Sequence, residues 1–464
     1  MSKRNKKKKN RRPKSKRVIT TTGPLLSLAM MVKNEEDFLE DALKSAQPVC
    51  DELIVVDTGS TDRTVEIAQD LGATVSHFPW INDFSAARNE TLKRANGQWV
   101  AILDADERFV GPRPASIRPY LKPGPSFPFQ AFMLDVTNTR LDGSPISSFF
   151  SVRVFPRDPR LGYSGRVHNR FGALDSNAPK IDATRFTGLS IIHLGYDPEL
   201  YKARQKAARS LPLIEATLRD EPDNHQQRFY LGREYLLLGR TEDAEAALRL
   251  AYSGIKTTGH GPLVDAADHL IRVLFAIDAP AHQIIEIAQD TLALHPNHPD
   301  IWYQLGKGLA KANANQQAAQ AVERALQCLT LPGANEQVWL RHRVWEAQEL
   351  LGALNWELAR YQAAYSAYKQ AFSGKPEASN GWPAMLNNLC ALAIEFKDHE
   401  HLPAFFERLF KTDDAPLGMF FFHVNQVAST KGPDQAKTLL REAVTRCPRL
   451  SNDPEYQAVI GKIG

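Results

Sequence analysis

Cysteine is scarce. Cys50, Cys328, Cys390 and Cys447 are the four in 464 residues; they lie far apart with no C-x-x-C pair. That excludes a disulfide framework and a zinc clasp, and fits a reducing compartment. Long apolar runs are also missing, since nothing approaches the ~20 residues that span a bilayer. Leu25 to Val32 is the nearest candidate for a signal sequence, but Lys33-Asn34-Glu35-Glu36-Asp37 follows where a small-residue cleavage site would stand. No G-x-G-x-x-G follows the first expected strand, which sets aside a dinucleotide-binding fold. Acidic residues are absent from residues 1–17, which carry eleven Lys or Arg. The net charge of +4 for the chain therefore becomes −7 for the remainder. Such a tail cannot bury a core. It suits contact with an anionic membrane or nucleic acid, or it is only a solubilising extension. Residues 1–24 are read as a disordered tail and linker. The expected location is cytoplasmic, with the tail offering a peripheral membrane contact.

From Leu25 onward, short apolar runs alternate with helical patterns. Strands are expected at Leu25 to Val32, Glu52 to Val56, Ala73 to Phe78 and Trp99 to Leu103. Helices are expected at Glu35 to Ala46, Asp62 to Leu71 and Phe84 to Ala95. This alternation predicts βαβ units in a mostly parallel sheet, where ligands collect beyond the carboxyl ends of the strands. Polar residues cluster at those ends: Lys33-Asn34-Glu35, Asp57-Thr58-Gly59-Ser60-Thr61-Asp62, and Asp104-Ala105-Asp106-Glu107. The last group is costly at the end of a buried strand unless a cation sits with it. Two carboxylates in a D-x-D step suit Mg²⁺ or Mn²⁺ shared with a diphosphate, although a lone D-x-D is also a common solvated turn.

The strings V-K-N-E-E, I-V-V-D-T-G-S-T-D-R-T, N-D-F-S-A-A-R-N and L-D-A-D-E, taken in order, resemble an inverting family-2 glycosyltransferase of the A-type fold. The resemblance runs from about Leu25 to Gly195, and N-D-F-S-A-A-R-N is similar to members fused to helical repeats. It implies an α/β nucleotide-diphospho-sugar transferase domain over 25–197 and a hexosyl- or N-acetylhexosaminyl-transferase activity. The implied donor is a nucleoside-diphosphate sugar, with a UDP-sugar as the first expectation. By the resemblance Asn34, Glu35 and Asp57 hold the nucleoside, Asp83 and Arg88 lie near the diphosphate, and Asp104 with Asp106 carries the metal; Ser60, which can also cap the following helix, counts with the cofactor-binding residues. Relatives then show R-x-F, G-x-I-H-E and I-x-H-x-G-Y. Arg153-Val154-Phe155, His168 and His193-Leu194-Gly195-Tyr196 match, while Asn169 stands where relatives usually have Glu. Asp106, His168 and Asn169 are the candidate catalytic residues, and His193 is either a third metal ligand or a structural histidine. An amide cannot act as a general base. Either Asp135, Asp158 or Asp175 substitutes, or activity is altered or lost.

Past the D-x-D, the Pro-rich stretch from Gly111 to Phe129 reads as an irregular loop. Phe129 to Thr137 and Phe149 to Phe155 read as strands. From Asp197 on, Ala and Leu rise and the pattern turns helical. Gly232, Ala244 and Ala251 share their spacing with Gly306, Ala318, Ala325 and with Gly352, Ala364, Ala371; Val424, Ala436 and Ala443 follow approximately. One degenerate unit fits around Leu270 to Pro296. The spacing resembles tetratricopeptide repeats and predicts an all-α solenoid over 198–464. Such an array binds a protein or peptide acceptor, or only scaffolds and dimerises. The competing function is a non-catalytic repeat scaffold carrying a decayed transferase domain.

Overall fold

A computed structural model describes residues 23–111, 114–122, 129–195, 206–331, 338–376, 382–412 and 417–463. The basic tail and the Tyr196 end of the last transferase motif lie outside the described residues. The four expected strands form as β1 (Leu26–Val32), β2 (Glu52–Asp57), β3 (Thr74–His77) and β4 (Trp99–Ile102). Between them lie α1 (Leu39–Ala46), α2 (Thr64–Asp70) and α3 (Phe84–Arg94). These strands pair in parallel in the order β3-β2-β1-β4, with Val32 beside Asp57. One face buries Leu28, Met30, Val55 and Ala101 against Leu39, Leu43 and Ala68 of the helices. The other buries Ala29, Val100 and Ile102 beneath Leu92 and Ala95.

Two expectations need correction. The first helix begins at Leu39 rather than Glu35, because the residues before it are drawn onto the second loop: Glu35 N–H donates to Thr64 Oγ1 at 2.7 Å and Glu36 N–H to Asp62 Oδ2 at 3.2 Å. The sheet is mixed rather than mostly parallel. Beyond β4 come β7 (Pro145–Pro156), β6 (Phe129–Thr139), β10 (Ile181–His193) and β5 (Glu107–Val110), giving eight strands. β7 runs antiparallel to both β4 and β6, and β5 antiparallel to β10. β5 has no sequence signature of its own, because it begins at Glu107, the last residue of the acidic turn. The stretch read as an irregular loop contains a 3₁₀ turn at Pro114–Tyr120. A separate hairpin, β8 (Leu161–Ser164) with β9 (Arg170–Ala173), lies over α3.

The second half is helical throughout its described residues. It opens with α4 (Lys206–Asp220) and continues as α5 (His225–Leu237), α6 (Thr241–Thr258), α7 (Leu263–Ala276), α8 (Ala281–Leu294), α9 (Pro299–Lys311) and α10 (Asn315–Cys328). Then follow α11 (Val344–Glu357), α12 (Tyr361–Gly374), α13 (Trp382–Glu395), α14 (Leu402–Lys411), α15 (Gly418–Lys431), α16 (Pro433–Arg446) and α17 (Pro454–Ile463). The repeated Gly and Ala positions are where paired helices touch. A Cβ on Gly232, Gly306 or Gly352 would meet Leu248, Val322 or Tyr368 at 2.6 Å, and each partner lies sixteen residues on. Ala244, Ala251, Ala318, Ala325, Ala364 and Ala371 are fully buried. The degenerate unit is the pair α7 and α8. No helix among the described residues is long and apolar enough to cross a membrane.

Gly352→Ala measures how tight this packing is. Alanine gains about 1 kcal/mol of helix propensity, but its methyl group meets the buried Tyr368 ring, and overpacking costs about 1–3 kcal/mol. Net destabilisation of about 1 kcal/mol is expected by urea denaturation. An unchanged or higher midpoint would mean the ring yields freely.

Candidate active site

The site begins where β1 and β2 end together. Asn34 adopts a left-handed conformation (φ 53°), which asparagine tolerates better than most residues. Its N–H donates to Ser60 Oγ at 2.9 Å, and its Oδ1 accepts from Thr61 N–H at 2.8 Å. The V-K-N-E-E and D-T-G-S-T-D loops are thus knitted to each other. Asp57 points inward. Its carboxylate accepts from Gly59 and Ser60 N–H groups and faces His77 Nδ1 at 3.2 Å. Burial raises the Asp57 pKa, yet these hydrogen bonds outweigh it and hold the group below its ordinary value.

The D-A-D-E turn folds back on itself at the end of β4. Asp104 N–H donates to Glu107 Oε2 at 2.9 Å, and Glu107 N–H to Asp104 O at 3.0 Å. Glu107 is fully buried and gripped by both prongs of Arg153 at 2.6 and 2.9 Å. Burial nevertheless leaves its pKa raised. Arg88 Nη2 reaches both oxygens of Asp104 at 2.7 and 3.0 Å. Burial opposes the Asp104 charge, but Arg88 and Arg153 prevail and lower its pKa. Asp106 Oδ1 lies 3.5 Å from His193 Nε2. The far ring nitrogen, Nδ1, lies 2.8 Å from Asn138 Oδ1, and the Asn138 amide is oriented by Ser147 Oγ at 2.8 Å. A proton on Nδ1 leaves the Nε2 lone pair facing Asp106, the arrangement of a metal-ligating histidine.

The N-D-F-S-A-A-R-N string has a mechanical meaning. Asp83 caps α3 through Ala86 N–H at 3.0 Å, and Arg88, on the same helix, reaches Asp104. Ser85 donates to Gly165 O at 2.6 Å. Asn89 exchanges two hydrogen bonds with the Tyr163 backbone at 2.9 and 2.7 Å. The hairpin carrying His168 and Asn169 is therefore clamped beside the D-x-D.

A cleft of about 580 Å³ joins these parts. Asn34, Glu35, Arg88, Asp104, Asp106, His168, Asn169 and His193 all line it, whereas Asp57, Ser60 and Asp83 do not. Trp80 and Phe84 add an apolar wall, and the helical half adds Arg209, Arg233 and Glu234. The two halves are joined here. Gln227 Nε2 donates to Val167 O at 2.9 Å, Arg166 pairs with Asp220 at 2.7 Å, and His168 stacks on Tyr230 with ring centres 3.7 Å apart. Burial, reinforced by Arg233, pushes the His168 pKa down to about 2, so its imidazole is neutral and weakly basic. Among the described residues no group of three or more His, Cys, Asp or Glu is gathered as a ready metal cage. Asp106 and His193 form an oxygen–imidazole pair that suits Mn²⁺ or Mg²⁺ when diphosphate oxygens complete the shell.

The model of Glycosyl transferase family 2 matches residues 27–113. A TPR repeat-containing protein of Synechococcus elongatus is 33% identical over 239 residues, covering 52% of this chain and 58% of that protein. The SPbeta prophage-derived glycosyltransferase SunS of Bacillus subtilis is 27% identical over 237 residues, covering 50% of this chain and 54% of SunS. The matched stretch thus spans little more than half the length of these curated relatives. The structure of Pseudomonas aeruginosa PilF overlaps 51% of this chain and 97% of its own at 16% identity, with a TM-score of 0.36. Residues 27–113 carry a domain of Glycosyl transferase family 2, and the chain joins it to tetratricopeptide-like helical repeats.

Proposed function

We propose that this chain transfers a hexose or N-acetylhexosamine, with inversion, from a nucleoside-diphosphate donor, a UDP-sugar first among them, to a protein, peptide or glycan acceptor. The observation that carries the reading is the single cleft uniting the loop after β1, the D-x-D turn, His193 and Arg88 in a family-2 domain. Asn34 and Glu35 stand where the nucleoside would lie. Asp106 and His193, with Asp104 once it exchanges Arg88, would hold the metal. A bound divalent cation would neutralise charge gathering on the departing diphosphate. Arg88, Arg209 and Arg233 supply further positive charge around the cleft. Trp80 and Phe84 shield the reacting centre from water, and the repeats offer a surface for a protein or peptide acceptor.

Calorimetry with UDP tests the donor half. Affinity is expected to depend on Mn²⁺, and Asp106→Ala to weaken it by about 2 kcal/mol through loss of a charged ligand. If UDP binds an Asp104→Ala/Asp106→Ala variant as tightly as it binds the native chain with Mn²⁺ present, the metal role is refuted.

A further inference from the structure

An inverting displacement needs a group to take the proton from the attacking acceptor, and the Asn169 amide cannot do so. The three acids singled out in the sequence as replacements stand elsewhere. Asp135 on β6 faces Arg341 and His342. Asp158 is clamped by Arg160 at 2.7 and 2.8 Å, and Asp175 accepts from Asn177 N–H at 2.7 Å in its own loop. None of them lines the cleft. The carboxylates that do, among the described residues, are Glu35, Asp104, Asp106 and Glu234. Glu35 belongs to the loop after β1, on the nucleoside side. Asp104 is held by Arg88, and Asp106 faces His193. Glu234 is left, and it comes from the helical half.

We propose that Glu234 is the carboxylate that takes the acceptor's proton, so that the first helices of the repeat region complete the active site. This rests on the transferase reading above. Glu234 is only 1% exposed and lies on α5 seven residues after Gln227, on the same helix face. Gln227 ties that helix to the hairpin carrying His168 and Asn169. A carboxylate buried at the wall of a cleft is expensive, and such groups concentrate where chemistry needs them. Arg233 Nη2 lies 3.2 Å from Glu234 Oε1, an ion pair that fixes the carboxylate at the cleft wall. His168 Nε2 lies 3.8 Å from the same oxygen. Asn169 lines the same cleft, and its buried Nδ2 has no hydrogen-bond partner. As the acceptor hydroxyl or thiol forms its bond to the anomeric carbon, its proton passes to a Glu234 oxygen. The anomeric C–O bond breaks, and its electron pair leaves with the nucleoside diphosphate. One negative charge moves from the carboxylate to the leaving group, and no other reactant is needed.

The test compares the full-length chain with Glu234→Gln and Glu234→Asp. The probes are UDP-[¹⁴C]glucose and UDP-[¹⁴C]N-acetylglucosamine, with peptides bearing Ser, Thr or Cys as acceptors. Glutamine keeps the shape and the contact with Arg233 but cannot take a proton. Transfer by Glu234→Gln is expected to fall about 10²- to 10⁴-fold, with UDP–Mn²⁺ affinity unchanged. Glu234→Asp should keep an intermediate rate. A folded Glu234→Gln variant that transfers as fast as the native chain overturns the assignment and leaves the transferase reading intact. A native chain that moves neither sugar to any peptide overturns both. Should the Gln variant fail to fold, Glu234→Asp decides. Lower turnover at constant donor KM supports the role, and unchanged turnover refutes it.

Discussion

Arg153→Met is expected to destabilise the chain by about 3–5 kcal/mol, the usual consequence of removing one partner from a buried ion pair. The partner, Glu107, is fully buried and receives both prongs of Arg153 at 2.6 and 2.9 Å. Without the guanidinium its carboxylate must be buried unpaired or protonated, and either change loosens its hydrogen bond to Asp104 N–H. Pairing Arg153→Met with Glu107→Gln should recover much of the loss, because no buried charge then remains. Chemical denaturation of the single and double variants measures both effects. A loss below about 1 kcal/mol for Arg153→Met alone would mean that Glu107 finds another cation.

The second large effect is a dependence on pH that runs against the usual one. Asp300, in the first turn of α9, accepts N–H groups of Trp339 and Leu340 at 2.8 Å each. These neighbour Val338 and His342, which bind Ser148 of β7 and so dock the repeats on the sheet. Burial, with Asp268 adding to it, pushes the Asp300 pKa up to about 7; the two N–H groups and Arg343 oppose this. The folded chain therefore holds this proton more tightly than the unfolded chain does. The contribution is complete below the unfolded carboxylate pKa of about 3.9, and it is lost as pH rises through about 7. At about 1.4 kcal/mol per tenfold change in proton affinity, the full swing is about 4 kcal/mol. Urea denaturation between pH 5 and 8 should show native stability falling across this range by an amount that Asp300→Asn abolishes. Parallel pH profiles for the two chains would refute it.

Much of the transferase half was legible because its motifs sit where strand meets loop. In N-D-F-S-A-A-R-N only the Asp83 cap is local, and Ser85, Arg88 and Asn89 each reach a distant segment. The repeat spacing was legible for a similar reason, since Gly232, Gly306 and Gly352 mark backbones too close for a side chain. Pairings between distant segments were not. Nothing local distinguishes β5 from the acidic turn before it, and nothing in β6, β7 or β10 announces their order in the sheet. Asp57 and Ser60 carry motif letters that imply a ligand, and the sequence does not show that Asp57 also accepts from its own loop and Ser60 from Asn34. Glu234 left no local signal, because helical periodicity places it on a buried face without saying what that face meets. Its neighbour His168 lies some 65 residues earlier in the chain.

The most direct test of metal-assisted, in-line transfer is the anomeric configuration of the product. Proton NMR of the sugar linkage formed from an α-linked UDP-sugar, by the full-length chain with Mn²⁺, should show the β-anomer, and none should form when EDTA removes the metal. An α-linked product, or equal transfer in EDTA, would contradict it.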